Sequence, residues 1–278
     1  MFQILMAIIV IGIVGCVQNT TPQVAHPPGH GSQEQTALAT DTHAEHKAPK
    51  HSPTTAKLVQ DAGWDDLKPG NPVKLQFHLE TKEQRIREFS LLHEKFMHFI
   101  VVRDALDEFQ HLHPTLAPDG GVETEIVFPS PGTYWIFVDF QAKGEKQQTV
   151  RHEIQIAGVP PATSGLQPDI PLTVTSKESR TNVSAEPSKE EWIFTFAHST
   201  MNGEPLSDLQ PYLGAMGHLV VIGEKTGEYV HAHAETESAP DGKVKFAAHI
   251  KRPGIYKLWG QFQRQGEVFT IPAVLRVE

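Results

Sequence analysis

The sequence of 278 residues is short of several things, and each shortage removes a class of function. Cysteine occurs once, at Cys16. A chain with one thiol, placed at its start, has no disulfide framework, no thiolate zinc site, no nucleophilic cysteine in its folded part, and no blue-copper centre, which needs a cysteine sulfur. Positive charge is scarce: 24 Lys and Arg against 33 Asp and Glu give a net charge of -9. That balance excludes nucleic acid as a partner, because phosphates need a basic surface. Sustained helical periodicity is missing, although "DDLKPG" and "SDLQPYLG" have room for single turns. Motifs of the Gly-x-Ser-x-Gly, His-Glu-x-x-His and phosphate-cradling kinds are also missing.

Long apolar runs are limited to one, from Phe2 to Val14, with no charged side chain. It is too short to span a bilayer as a mature helix but suits a signal-peptide h-region. "IVGC" at Ile13–Cys16 resembles a bacterial lipobox, so residues 1–15 read as a lipoprotein signal peptide and Cys16 as the acylated mature N-terminus. An ordinary cleaved signal with an incidental cysteine is the alternative. From 16 to 55 the chain is rich in Thr, Pro, Gln, Ala and His with almost no bulky apolar residue, the composition of a disordered tether. Its His26, His30, His43, His46 and His51 belong either to a polar stalk or to a weak metal-collecting segment.

From Ala56 onward, β-rich runs alternate with turn signals: "NPVKLQFHLE", "MHFIVVR", "GVETEIVF", "GTYWIFVDFQ" and "QTVRHEIQI". The order then repeats. "WIFTFAH" answers "VKLQFHL", "APDG" occurs twice, and "PGTYWIFVDFQAKGE" (131–145) answers "PGIYKLWGQFQRQGE" (253–267). A Pro/Gly-rich stretch separates the copies. The predicted architecture is all-β: two tandem Ig-like or cupredoxin-like β-sandwiches at 56–158 and 171–278, joined by a linker at 159–170. The "PGxY" phrase suggests a tyrosine corner, with Tyr134, Ile136, Val138 and Phe140 pointing inward and Tyr256, Leu258 and Phe262 doing the same in the second copy.

Sixteen histidines are many for this length, and six of them recur in a pattern. His98 opens an apolar run that His111 and His113 close. His218 opens another, and His231 and His233 close it at the same spacing. A hairpin turning at Asp104–Asp107 sets His98 opposite His113, with His111 on the same face because the strand period is two. A turn at "EKTG" (224–227) sets His218 opposite His233 in the same way. The spacing of the histidines repeats while the turn residues change, which places the constraint on the imidazoles. Two polar rings beside Ile100 and Phe109 are costly unless something coordinates them, so each trio is predicted to form one metal site. Neutral imidazole suits Cu(II), Zn(II), Ni(II) and Fe(II). Met97 and Met216, near the opening histidines, would tilt the choice to copper, with zinc possible. His93 is a further candidate in the first copy, where the second has Leu213. His78, His152, His198 and His249 read as core histidines.

These residues resemble bacterial exported metal-handling lipoproteins with cupredoxin-like or YtkA-like β-sandwich domains. The similarity lies in "MHFIVVRDALDEFQHLHP" with "FPSPGTYWIFVDFQ", and in "GHLVVIGEKTGEYVHAHA" with "RPGIYKLWGQFQ". The resemblance implies a cell-envelope location and copper handling. The leading expectation is therefore a lipid-anchored periplasmic or outer-face protein that buffers copper or passes it to a metal-transfer partner. Two alternatives differ in class. One is a three-histidine metalloenzyme, for which Asp139 is a possible carboxylate although Gln261 replaces it in the second copy. The other is a metal-free Ig-like interaction module.

Overall fold

The computed structural model describes residues 56–175, 179–189 and 191–278. Cys16, the apolar start and the histidine-bearing tether lie outside the described residues. No helix among the described residues is long and apolar enough to cross a membrane.

The first half contains β1 (Lys57–Ala62), β2 (Pro72–Glu80), β3 (Met97–Arg103), β4 (Phe109–Leu112), β5 (Thr115–Leu116), β6 (Gly121–Val127), β7 (Gly132–Gln141) and β8 (Gln147–Ile156). They form two sheets, β1-β2-β6-β5 and β4-β3-β7-β8. The second half contains β9 (Leu172–Thr175), β10 (Ser179–Ser188), β11 (Glu191–Thr200), β12 (Leu209–Gln210), β13 (His218–Gly223), β14 (Tyr229–His233), β15 (Lys243–Ala248), β16 (Gly254–Arg264) and β17 (Glu267–Val277). Its sheets are β15-β11-β10-β9 and β12-β16-β13-β14, with β17 also paired to β16. The protein is thus all-β, two sandwiches in tandem.

Period-two alternation explains each core. In β2, Leu75, Phe77 and Leu79 are fully buried while Lys74 and Gln76 alternate with them. They meet Phe99, Tyr134, Ile136, Val138 and Phe140 in the first core. Phe194, Phe196, Leu219, Tyr256, Leu258 and Phe262 build the second. The tyrosine corner is present twice. Tyr134 Oη donates to the Ser130 carbonyl at 2.9 Å, and Tyr256 Oη donates to the Arg252 carbonyl at 2.7 Å. The preceding Gly132 and Gly254 have φ of 132° and 153°, a conformation that disfavours any Cβ.

A third core lies between the sandwiches. In β3, Phe99 and Val101 face their own sandwich, while Ile100 and Val102 turn outward to meet Val220, Ile222 and Trp259 of the second. Both faces of β3 and β13 are therefore covered, which is why these strands read as unbroken apolar runs. Phe109 stacks on Trp259 at 4.7 Å between ring centroids, and Phe137 stacks on Tyr229 at 4.4 Å. Phe109 and Tyr229 hold the same place in the repeat, as do Phe137 and Trp259. Each contact is thus matched by its reciprocal, the pattern of a two-fold dimer interface. The linker takes part: Leu166 packs against this core and its N–H donates to Glu224 Oε1 at 3.1 Å.

Candidate metal centre

The histidines belong to the same outward face as Ile100 and Val102, so the packing of the sandwiches brings the two trios together. In the second hairpin His218 pairs with His233 and Val220 with His231, the expected register. In the first, Ile100 pairs with His111 and Phe99 with Leu112. His113 follows one residue later, its ring 5.1 Å from that of His98. Across the interface, His98 and His231 lie 5.1 Å apart and His111 and His231 5.3 Å apart, centroid to centroid. The expectation of one separate site per sandwich gives way to a single cluster. Two groups have ligand atoms within 4.8 Å of one another: His98, His111 and His231, and His218, His231 and His233. The first draws on both sandwiches, and His231 belongs to both groups.

Carbonyl and carboxylate acceptors assign the proton on three of these rings, and the Gln261 amide oxygen, as oriented, assigns it on a fourth. His98 Nε2 lies 2.9 Å from the Leu92 carbonyl and His218 Nε2 lies 2.8 Å from the Tyr212 carbonyl. Carbonyls only accept, so both rings donate from Nε2 and keep a lone pair on Nδ1. His231 Nδ1 lies 2.9 Å from Asp139 Oδ2, and His111 Nδ1 lies 2.6 Å from Gln261 Oε1. These rings donate from Nδ1 and keep a lone pair on Nε2. The consequence is that lone pairs confront each other: His98 Nδ1 and His111 Nε2 at 2.9 Å, and His218 Nδ1 and His231 Nε2 at 3.4 Å. Neutral rings cannot hydrogen-bond in this arrangement. A metal ion bound between them would use both lone pairs. His113 Nε2 and His233 Nε2 are also buried without a partner.

Asp139 anchors this network from a fully buried position. Tyr229 Oη donates to Oδ2 at 2.6 Å and Thr149 Oγ1 donates to Oδ1 at 2.6 Å, beside the His231 N–H. Burial pushes its carboxyl above the ordinary range against these donors. The same burial holds the imidazoles down: His111 and His231 well below the ordinary value, His218 at about 4, His113 at about 3 and His233 at about 2. Neighbouring imidazoles add to the depression, opposed at His218 by the Tyr212 carbonyl. Near pH 7 the rings are neutral, the form that ligates a metal.

The other sequence candidates fall elsewhere. Met97 and Met216 are buried in the first and second sandwich cores, away from the imidazoles. Met97 neighbours His98 in β3 and so takes the opposite face. His93 does join the cluster: its ring lies 3.3 Å from that of His233, at an interplanar angle of 22°. His198 is buried beside Phe262 in the second core. Sequence reasoning did not find Tyr229, Thr149 or a role for Gln261. Only the interchange of Asp139 and Gln261 at one repeat position hinted at it.

The family model described as "Domain of unknown function (DUF8832)" matches twice, at residues 56–158 and 174–278. The chain belongs to this family and carries two copies of its domain. No curated protein matches the chain. Among solved structures, the tetra-tandem repeat in the extending region of a large adhesion protein is similar at 12% identity and a TM-score of 0.27, covering 80% of this chain and 49% of that one. The Escherichia coli adhesin FdeC is similar at 14% identity and 0.26, covering 80% and 64%. A two-domain fibronectin type III segment of chicken tenascin is similar at 10% and 0.22, covering 80% and 99%. The chain thus spans less than two thirds of either adhesin structure, and likeness at this level says nothing about function.

Proposed function

We propose that this two-copy DUF8832 protein binds a transition-metal ion at the histidine cluster between its sandwiches, as a lipid-anchored protein of the bacterial cell envelope. One observation carries the reading: the lone pairs of His218 and His231, assigned by a carbonyl and a carboxylate, face one another, as do those of His98 and His111 with Gln261 as oriented. The unpartnered Nε2 atoms of His113 and His233 supply further donors. Neutral imidazoles fit copper and zinc equally well. With Met97 and Met216 in the cores, the thioether argument for copper falls away, and copper rests on the resemblance to envelope metal-handling lipoproteins. The role is buffering or transfer. Asp139 already accepts three hydrogen bonds, so the metalloenzyme alternative gains no general base from it.

Elemental analysis and copper and zinc titrations of the full chain test this. At least one equivalent should bind far more tightly than the tether histidines, and the double change His231→Ala, His233→Ala should abolish it. Tight binding that survives that change, or no tight binding in the parent chain, would sink the reading. For the anchor, Cys16→Ala should move the protein from membranes to the soluble fraction.

A second reading, a metal-free two-sandwich interaction module, is favoured by the interdomain core itself. Ile100, Val102, Phe137, Val220, Ile222 and Trp259 bury an apolar surface that needs no ion to hold together. In that case the imidazoles pack between the sandwiches as neutral rings. Metal-free protein that keeps its full thermal stability and gains none with copper or zinc would support it.

A further inference from the structure

Six of the clustered imidazoles obey the repeat, but the groups around them do not, and the departures all favour one half. The ring shared by both groups, His231, is keyed by a carboxylate, whereas His111 is keyed by the amide of Gln261. A carboxylate has no N–H to offer and fixes the Nδ1–H form of its imidazole. An amide turned end for end would fix the opposite form. Facing nitrogens are 3.4 Å apart in the second half and 2.9 Å in the first. The wider gap is that of two ligands sharing one tetrahedral ion with metal–nitrogen bonds of about 2.0–2.1 Å, and the narrower is tighter than that geometry.

The third departure is a turn. Residues 92–95 close a two-residue hairpin loop, Leu92 N–H to Lys95 O at 2.6 Å, and 212–215 close its counterpart, Tyr212 N–H to Ala215 O at 2.7 Å. The central residues are His93 and Glu94, with φ of 50° and 64°, against Leu213 and Gly214, with 52° and 75°. This turn wants glycine, asparagine or aspartate, as Gly214 partly satisfies. The first copy instead holds two strained residues, one of which lays an imidazole on His233.

Resting on the metal-binding reading above, we infer that the two halves are unequal. The half of His218, His231 and His233 is the tight metal site, and two groups of the first sandwich are its positioning residues: Asp139, which readies His231, and His93, whose ring stacks on His233 and holds it in place. The half of His98 and His111 is the weaker site. The site is therefore completed in trans, with ligands from the second sandwich held by groups from the first.

Zinc titration of the full chain, with variants at equivalent repeat positions, tests this. Asp139→Asn should weaken the tight class about 10–100-fold, the usual effect of losing a residue that orients a metal-bound imidazole. His93→Leu, which writes the second copy's residue into the first, should also weaken it, by at least about tenfold. Gln261→Ala should weaken the tight class at least about tenfold less than Asp139→Asn does. Nitrogen-15 NMR separates positioning from general support: His231 should carry its proton on Nδ1 in the parent chain and redistribute it in Asp139→Asn. Should Asp139→Asn fail to fold, His93→Leu bears the test alone, since Leu213 shows the turn accepts leucine. Equal losses from Asp139→Asn and Gln261→Ala, or no loss from His93→Leu, would overturn the inequality while leaving metal binding intact. A parent chain with no tight class overturns metal binding itself.

Discussion

The two sandwiches share six imidazoles and a doubled tyrosine corner, yet their hairpins are held by different chemistry. In the first, the buried Arg103 pairs with Asp107 and approaches Glu108 at 3.7 Å. In the second, Gly223 stands at that place, where a Cβ would meet Thr226 Oγ1 at 2.1 Å. The turns diverged while the rings they carry stayed in register, so the common requirement is the meeting of the rings. Asp139 against Gln261 and His93 against Leu213 then show where the halves ceased to be equivalent.

The largest effect should come from the reciprocal ring stacks. Trp259→Ala and its equivalent Phe137→Ala should each lower unfolding free energy by about 3–5 kcal/mol, the range for truncating a buried aromatic. Urea unfolding at a fixed pH measures it. Losses below about 1 kcal/mol at both positions would show that the sandwiches do not stabilise each other. The next effect should be asymmetric. Asp139→Ala strips an acceptor from His231, Tyr229 and the more exposed Thr149 and should cost about 3 kcal/mol, since each orphaned buried group costs about 1–3 kcal/mol. Gln261→Ala should cost about 1 kcal/mol. Equal costs would remove the stability difference between the halves.

A milder effect should belong to both halves together. Folded imidazoles held at about 4 (His218), about 3 (His113) and about 2 (His233) titrate below those of the unfolded chain, near about 6.5. The unfolded chain therefore takes up more protons on acidification, so stability is fully present above about pH 6.5 and declines below it until the folded values are passed. The urea midpoint should accordingly be lower at about pH 5 than at about pH 7.5, and a flat profile would contradict the burial of neutral rings. The smallest effect is expected at the methionines. Met97→Leu and Met216→Leu should each change stability by less than about 1.5 kcal/mol and leave zinc and copper affinity unaltered, as befits core residues. A loss of copper affinity alone in either variant would restore a thioether ligand.

Much of this was legible in the residues. Period two and a tight turn were enough to set His218 opposite His233 and to put His111 on the face of His98, because strand geometry leaves no freedom once the register is chosen. The tyrosine corners followed from "PGxY". What the strand pattern did not convey was the partner of the outward face. "FIVV" and "LVVI" carry apolar residues on both faces, the mark of a strand covered on both sides, but that mark does not name the cover. Asp139 and His231 lie 92 residues apart in different sandwiches, and no local rule links them. Met97 misled for a related reason: the residue next to His98 along a strand takes the opposite face.

The reciprocal interface has one further consequence. Two copies of a domain that met as separate chains would come apart on dilution, and a centre shared between them would be lost with the dimer. Here the partner is tethered through residues 159–170, so the encounter is intramolecular and its effective concentration is set by the linker rather than by the cell. A scarce protein can then keep an assembled pair of trios at any abundance, and its affinity for an ion would not vary with how much of it is made.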